Sequence, residues 1–256
     1  CSGAQRTGPT SPAAPGDSCT ASLRKVGISG SPCEGWAAPE RIGQADIARY
    51  ARGFVCGEPS QGWLERRICI MTYLAGHYYH VYNRGCNREP IFLSDDNYIY
   101  LVKRMKHLLP MSQVSIIAYC LMPNHYHLLL RSEADDSVSR FIQPLFNSYV
   151  QAFNQQQGRT GTLFQGRAKH IEVDSDAYII YLARYIHLNP VMAHLVSSPD
   201  EWPYSNYLEW IDKRAGTLVD REFIGRFFLN NGDYQHFVNS TMDDVMLAKL
   251  ARYYLE

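Results

Sequence analysis

The sequence lacks the features that mark several common classes of protein. Its 256 residues include seven cysteines, an odd number, and no two of them form a C-x-x-C pair. That pattern matches neither a disulfide framework nor a zinc ribbon, so we expect reduced thiols. No apolar run approaches the ~18 residues that cross a bilayer, and no basic segment leads into an apolar core near residue 1. We therefore expect a soluble, cytoplasmic protein with no membrane partner.

An excess of charge of either sign is also missing. Lysine plus arginine and aspartate plus glutamate number 25 each, so the formal charge is zero. This balance counts against a tight, purely electrostatic binder of nucleic acid. The length leaves room for one or two domains with a well-buried core.

The composition and the hydrophobic periodicity of the chain change near residue 70. Residues 1–70 are rich in Gly, Pro, Ser and Ala and show no sustained period, so we expect a disordered or poorly structured extension, with a short helix at 45–51 as the exception. Met71 opens the patterned region, and we hypothesise that it is the authentic start and that the residues before it are translated upstream sequence. We assign one domain to residues 71–210 and a C-terminal helical extension to 211–256, with helices at 223–229 and 243–250.

The patterned region predicts an α+β fold. Hydrophobic periodicity and turn residues indicate elements in the order β-α-β-β-α-β, followed by one more helix. That order is typical of a ferredoxin-like split βαβ antiparallel sheet with helices on one face. The predicted strands are 78–85, 114–121, 125–131 and 162–173, and the predicted helices are 95–105 (ending before Pro110), 137–157 (with a kink or a later start at Pro144) and 177–187 (closed by Asn189-Pro190).

A pair of histidines lies on the third predicted strand. His125 and His127 are two residues apart, so their side chains point to the same face. Neutral imidazole is a common metal ligand, although a lone His-x-His pair on a strand more often reflects packing or surface chemistry. The strand is central in a sheet of this topology, and we expect the pair to face outward to solvent.

The last predicted helix carries a tyrosine and an asparagine that suit such a metal site. Tyr185 and Asn189 are four residues apart and share one face of the helix. A phenol can attack phosphorus and keep the bond energy in a phosphodiester-like link, and an amide oxygen can be a third ligand. Two imidazoles and one carbonyl oxygen suit Mg²⁺ or Mn²⁺ acting as a Lewis acid on a phosphate.

Other residues compete for these roles. Tyr149 is the rival nucleophile, but Asn154 follows it by five residues, a poorer match of faces than four, and an apolar stripe already explains it. We predict that His187 is structural and that His77 and His80 are surface or core-edge residues.

Residues 71 to about 210 resemble the single-tyrosine HUH transposases, specifically the REP-associated tyrosine transposases related to the smallest bacterial insertion sequences. Each matching string is weak alone, but five in the right order are strong. They are YHVYNRG at 79–85, MPNHYHLLL at 122–130, GTLFQGR at 161–167, RYIHLNPV at 184–191 and EWPYS at 201–205. Residues 1–70 have no counterpart in the family.

The resemblance implies a metal-dependent endonuclease and strand transferase that acts on single-stranded DNA at stem-loop ends. By position, His125, His127 and Asn189 are the ligands of Mg²⁺ or Mn²⁺. Tyr185 is the nucleophile, which forms a 5′-phosphotyrosine and releases a 3′-hydroxyl. The resemblance further implies a bacterial nucleoid-associated protein, and we expect a monomer or a homodimer.

A set of polar residues could contact the DNA. The candidates for phosphate or base contacts with single-stranded or hairpin DNA are Arg84, Gln165, Arg167 and Lys169, although a solvated strand edge has the same composition. Tyr126 and Phe164 are candidates for stacking on bases.

Two alternative functions remain at this point. The protein could be a non-catalytic regulator that binds hairpin DNA, although the apparently intact site residues argue against a dead enzyme. It could also be a metal-dependent phosphodiester hydrolase that uses an activated water on the same ligands.

Overall fold

The computed structural model describes residues 73–241 and Leu250. The predictions for residues 1–70, including the helix at 45–51 and the role of Met71, lie outside the described residues, as does the helix predicted at 243–250 apart from its last residue. Within the described part, Cys86 and Cys120 are free thiols. None of the helices between residues 73 and 241 is long and apolar enough to cross a membrane.

The described residues contain four strands and six α-helices in the predicted order. The strands are β1 (Tyr78–Arg84), β2 (Val114–Met122), β3 (His125–Ser132) and β4 (Lys169–Val173). The helices are α1 (Asp95–Ser112), α2 (Ser137–Gln156), α3 (Asp176–Met192), α4 (Tyr207–Trp210), α5 (Arg221–Phe227) and α6 (Asn231–Asn239), and 3-10 turns lie at Cys86–Arg88 and Pro199–Glu201.

The strands form one antiparallel sheet in the order β2-β3-β1-β4. This is the predicted α+β split βαβ arrangement, with β3 in the interior of the sheet. The hairpin between β2 and β3 pairs Met122 with His125, and the register between β1 and β3 pairs Tyr82 with His127. The strand predicted at 162–173 is shorter than expected, because only an isolated bridge from Phe164 to Gly85 precedes β4.

Helices α1 and α2 of the split βαβ unit lie on one face of the sheet, as predicted, and the later helices cover the other face. Alternate strand residues such as Val81 and Leu128 bury one face against α1 and α2. Residues such as Ile117 and Leu129 bury the other face against α3, which is apolar on most of its sides and so needs a surface to cover. The expectation that the histidine pair faces solvent is therefore wrong, because His125 and His127 lie on the face that α3 covers.

Two helices continue through a proline that was expected to end them. Helix α1 runs through Pro110 to Ser112, and α3 runs through Pro190 to Met192. Each proline lies in the last turn, where it removes a single hydrogen bond that packing can offset. Similarly, α2 begins at Ser137, so Pro144 does not set its start. As a result, Asn189 lies within α3, one turn after Tyr185.

The residues after 210 pack on the same core as α3. Phe223 of α5 and Tyr234 of α6 are buried with Trp210 and with apolar residues of α3. The loop before α4 covers the outer edge of β2, where the Leu121 amide donates to the carbonyl of Tyr204 at 3.0 Å. This loop and the helices after it close the edge of the sheet on that side.

Asn206 holds this closure together, so its loss should destabilise the fold. Its side chain is fully buried, accepts a hydrogen bond from the amide of Tyr119 at 2.7 Å and donates to the carbonyl of Ile117 at 3.0 Å. We expect Asn206→Ala to lower the free energy of unfolding by about 2–4 kcal/mol, because the buried partners lose their hydrogen bonds. Urea unfolding would measure the change, with the exposed Asn239→Ala as a control within about 0.5 kcal/mol. Equal effects of the two variants would contradict this account.

Candidate active site

The structure brings the four predicted site residues to one place between β3 and α3. His125 and His127 lie on β3, and Tyr185 and Asn189 lie on the facing side of α3; all four are buried. The Nε2 atom of His125 is 3.5 Å from the Oδ1 atom of Asn189. The rings of His127 and Tyr185 meet edge to face, with centroids 5.7 Å apart. The chemical roles of these residues stay predictions, but their proximity is a property of the fold.

The hydrogen bonds around His125 determine which of its nitrogens can bind a cation. The Nδ1 atom lies 2.7 Å from the side-chain oxygen of Asn124, which can only accept, so Nδ1 carries the proton. The Nε2 lone pair then faces Asn189 Oδ1, which is oriented by the bond from Asn189 Nδ2 to the Tyr185 carbonyl at 3.1 Å. Two lone pairs that face each other repel, and a divalent cation between them would remove that repulsion.

His127 adds a third candidate donor atom. Its Nδ1 atom lies 2.9 Å from the Nε2 atom of His80. Its own Nε2 atom is buried and makes no hydrogen bond to any described residue. Leaving a buried polar atom unsatisfied costs about 1–3 kcal/mol, so such an atom calls for an explanation. A metal ion bound at this nitrogen would provide one.

Burial keeps these histidines in the form that binds metal. It lowers the pKa of His125 to about 4, although the Asn189 oxygen, which would accept a hydrogen bond from the protonated ring, opposes this shift; the nearby Arg84 guanidinium adds a smaller lowering. Burial also lowers the pKa of His80 to about 3. The pKa of His127 is held well below its ordinary value by burial and then by the two neighbouring imidazoles. All three rings are therefore neutral at pH 7, as ligation requires.

The donor set contains no anionic ligand. No group of three or more His, Cys, Asp or Glu side chains within residues 73–241 is placed to hold a metal ion. Two imidazole nitrogens and one amide oxygen fit a divalent ion that keeps several positions for water or substrate oxygens, as Mg²⁺ and Mn²⁺ do. The residues present are therefore compatible with the predicted ion.

The rival nucleophile lies on the wrong side of the sheet. Tyr149 is buried on α2 among the residues that cover the opposite face, and its hydroxyl donates to the carbonyl of Ile91. Because the sheet separates Tyr149 from His125 and His127, this tyrosine cannot reach a phosphate bound there. The geometry favours Tyr185, which contacts His127 directly.

The four residues predicted to contact DNA line one cleft. Arg84, Gln165, Arg167 and Lys169 surround it together with Tyr82 and Asn83. The loop at residues 161–168 folds against the end of β1, where the Gln165 amide donates to the Arg84 carbonyl at 2.9 Å. The side chains of Arg84 and Gln165 are also hydrogen-bonded to each other. Residues far apart in the sequence thus form one basic surface.

This cleft adjoins the histidine pair. Arg84 lies opposite His125 in the register of β1 and β3, and Tyr82 lies opposite both His127 and Lys169. A DNA strand bound along the cleft would therefore pass close to the candidate metal site.

The prediction that Tyr126 stacks on bases is wrong. Its side chain is only 1% exposed and stacks on Phe146 of α2, on the face of the sheet away from the histidine pair. Residues 126 and 127 are consecutive on a strand and so point to opposite faces. Phe164 packs against the same two rings and is partly buried.

The sequence reasoning missed two contacts of the candidate ligands. Asn124 and His80 each contact the Nδ1 atom of one histidine, although His80 was expected at the surface or core edge and is fully buried. Only the register of β1 against β3 reveals the second contact, and no local pattern encodes it. His187 is structural as predicted: its nitrogens contact the Tyr234 hydroxyl at 2.6 Å and the Asn206 oxygen at 3.0 Å.

Comparison with known proteins identifies a related family. Residues 73–189 match the model of a family described as "Transposase IS200 like". The solved structure of a REP-associated tyrosine transposase bound to a REP hairpin shares 16% identity, over 64% of this chain and 94% of that one, with a TM-score of 0.44. A structure described as a transposase from Deinococcus radiodurans R1 shares 15% identity, over 51% of this chain and 95% of that one, with a TM-score of 0.31. No curated protein matches the chain.

The buried neutral histidines should make the protein less stable in mild acid. Burial lowers the pKa of His187 to about 4, as it lowers those of His80, His125 and His127. As the pH falls through about 6.5, the unfolded chain binds protons that the folded chain cannot, so stability is full above that pH and declines below it. We expect the free energy of unfolding to fall by about 1 kcal/mol per histidine between pH 7.5 and 5.5.

Urea unfolding at several pH values would measure this decline. The variant His187→Asn should reduce the slope of the free energy of unfolding against pH by the contribution of about one proton, since it deletes one of the four histidines. Equal stability at pH 7.5 and 5.5 would contradict the assignment of neutral buried rings.

Proposed function

We propose, on the premise that residues 73–189 form a transposase domain of the IS200-like family, that the chain is a metal-dependent single-stranded DNA endonuclease and strand transferase. It would act on stem-loop DNA through a 5′-phosphotyrosine. One observation carries the proposal: His125, His127 and Asn189 are buried together beside the ring of Tyr185, and His125 Nε2 lies 3.5 Å from Asn189 Oδ1.

Each site residue has a defined task in this reaction. His125 Nε2, His127 Nε2 and Asn189 Oδ1 would hold Mg²⁺ or Mn²⁺. When bound, the ion would act as a Lewis acid on the scissile phosphate. Helix α3 keeps Tyr185 and Asn189 one turn apart on one face, so the nucleophile stands next to the phosphate that the ligands position.

Tyr185 would carry out the covalent step. Its phenolic oxygen attacks the phosphorus, the bond from phosphorus to the 3′ oxygen of the preceding nucleotide breaks, and that oxygen takes up a proton. The phenol proton passes to water. The products are a 5′-phosphotyrosine on the downstream strand and a free 3′-hydroxyl. Attack by the 3′-hydroxyl of another end reverses the step, so strands rejoin without an external energy source.

The basic cleft would hold the strand on its way to the site. Arg84, Arg167 and Lys169 offer positive charge to phosphates, and the Gln165 amide offers a donor and an acceptor to a phosphate or a base. Because the formal net charge is zero, binding would depend on this local surface. Hairpin or single-stranded DNA is the proposed partner.

The first test concerns the nucleophile. Tyr185→Phe should abolish the covalent adduct on a hairpin oligonucleotide labelled at its 3′ end, because the variant lacks the attacking oxygen. Binding on a native gel should be unchanged. Tyr149→Phe is the matched control and should still form the adduct. A denaturing gel with Mn²⁺ would show the protein-linked strand, and chelation of the metal with EDTA should remove it.

Each other outcome of this assay would indicate a different nucleophile or a different function. An adduct from Tyr185→Phe but not from Tyr149→Phe would show that the nucleophile is misassigned. Free cleaved ends without any adduct from the unmodified protein would indicate a hydrolase. A shift on a native gel without cleavage would indicate a non-catalytic DNA-binding protein.

The second test concerns the cleft. The double variant Arg167→Ala with Lys169→Ala should weaken binding of single-stranded DNA by about 10-fold or more, and should reduce the slope of log affinity against log salt by about 1.4. Lys103→Ala with Lys106→Ala, two exposed positions on α1, is the matched control and should change neither. Fluorescence anisotropy at several salt concentrations would measure both quantities. Equal losses in the two double variants would place the DNA elsewhere.

A further inference from the structure

His80 is a buried histidine that the proposed reaction does not use. It is fully buried on β1, on the same face of the sheet as His127 and diagonally across from it. Its Nε2 atom lies 2.9 Å from His127 Nδ1, and the two ring planes are within 18° of parallel. The ring of Tyr82 stacks on that of His80 with centroids 4.9 Å apart and also lies against His127. The orientation of the His80 and His127 rings is therefore fixed by packing.

This contact has two possible proton arrangements with opposite consequences. Each neutral imidazole has one N–H and one lone pair, so one ring must donate to the other. If His127 Nδ1 donates, then His127 Nε2 has a lone pair available to a metal ion, and His80 carries its own proton on Nδ1, a buried atom that also makes no hydrogen bond among the described residues. If His80 Nε2 donates, then His127 Nε2 carries a proton, cannot bind a metal ion, and remains a buried donor without a hydrogen bond among the described residues.

We propose that His80 is a positioning residue, which accepts the Nδ1 proton of His127 and so directs the His127 Nε2 lone pair at the metal site. The inference rests on the proposed function, since it assumes that His127 is a ligand. The other candidate ligand has the same arrangement, because Asn124 accepts the Nδ1 proton of His125. Each histidine would thus be oriented by a neutral acceptor from a different element, and such contacts tune metal affinity.

The first experiment reads the proton directly in the metal-free, full-length chain. Long-range ¹H–¹⁵N spectra of the ¹⁵N-histidine-labelled protein at pH 7.5 distinguish the two tautomers of each ring. The His127 signals are those lost in His127→Gln. We expect His127 to carry its proton on Nδ1. A proton on Nε2 would overturn the inference, and this measurement needs no variant of His80.

The second experiment measures Mn²⁺ binding without DNA, from the electron paramagnetic resonance signal of the free ion. His80→Leu removes the acceptor and should weaken Mn²⁺ binding about 10–100-fold. His80→Gln places an amide oxygen in the same region and should restore most of the affinity. His170→Leu, on the neighbouring strand β4 and partly buried, is the matched control and should bind Mn²⁺ like the unmodified protein.

The outcomes separate this inference from the proposed function. Normal Mn²⁺ binding by His80→Leu would overturn the inference alone, as would a His80→Gln variant that folds and binds as weakly as His80→Leu, since the loss would then reflect packing. Failure of the unmodified protein to bind Mn²⁺ would overturn the proposed metal site itself.

Discussion

The packing of α3 on the second face of the sheet is the interaction on which the candidate site depends. Apolar residues such as Leu182 and Ile186 hold the helix against β2 and β3. The same contact takes the histidine pair out of water and places Tyr185 and Asn189 above it. Without this helix the two imidazoles would be solvated and would titrate near pH 6.5. Hydrophobic burial therefore determines where the candidate site lies and keeps its imidazoles neutral.

Burial of so many polar groups requires partners from several elements. The turn before β3 supplies Asn124, strand β1 supplies His80, and α3 supplies Asn189. A slip of one residue between β1 and β3 would turn His80 to the opposite face and remove its contact with His127. The strand register is thus as important to this site as the identity of its residues.

Local sequence patterns were sufficient to predict the order of elements, the shared face of the histidine pair and the helical spacing of Tyr185 and Asn189, because each depends on residues close in sequence. They could not show that α3 covers the histidine pair, since which face a helix covers is decided by long-range packing. For the same reason the burial of His80 was missed. A proline also does not by itself mark the end of a helix, because Pro190 in the last turn of α3 costs only one hydrogen bond. The cleft residues were identified one by one, and only the folded loop at 161–168 unites them.

The neutral donor set would have a consequence for how the binding of the proposed metal ion and the binding of DNA depend on each other. Two imidazoles and an amide would bring no negative charge to the proposed ion, so its full double charge would be available to a phosphate beside it. A DNA phosphate in turn would supply the anionic oxygen that the protein ligands lack. Metal and DNA would then be linked by a coupling free energy, each raising the affinity of the protein for the other by the same factor. A site of this kind would bind either ligand weakly alone and both ligands more tightly together.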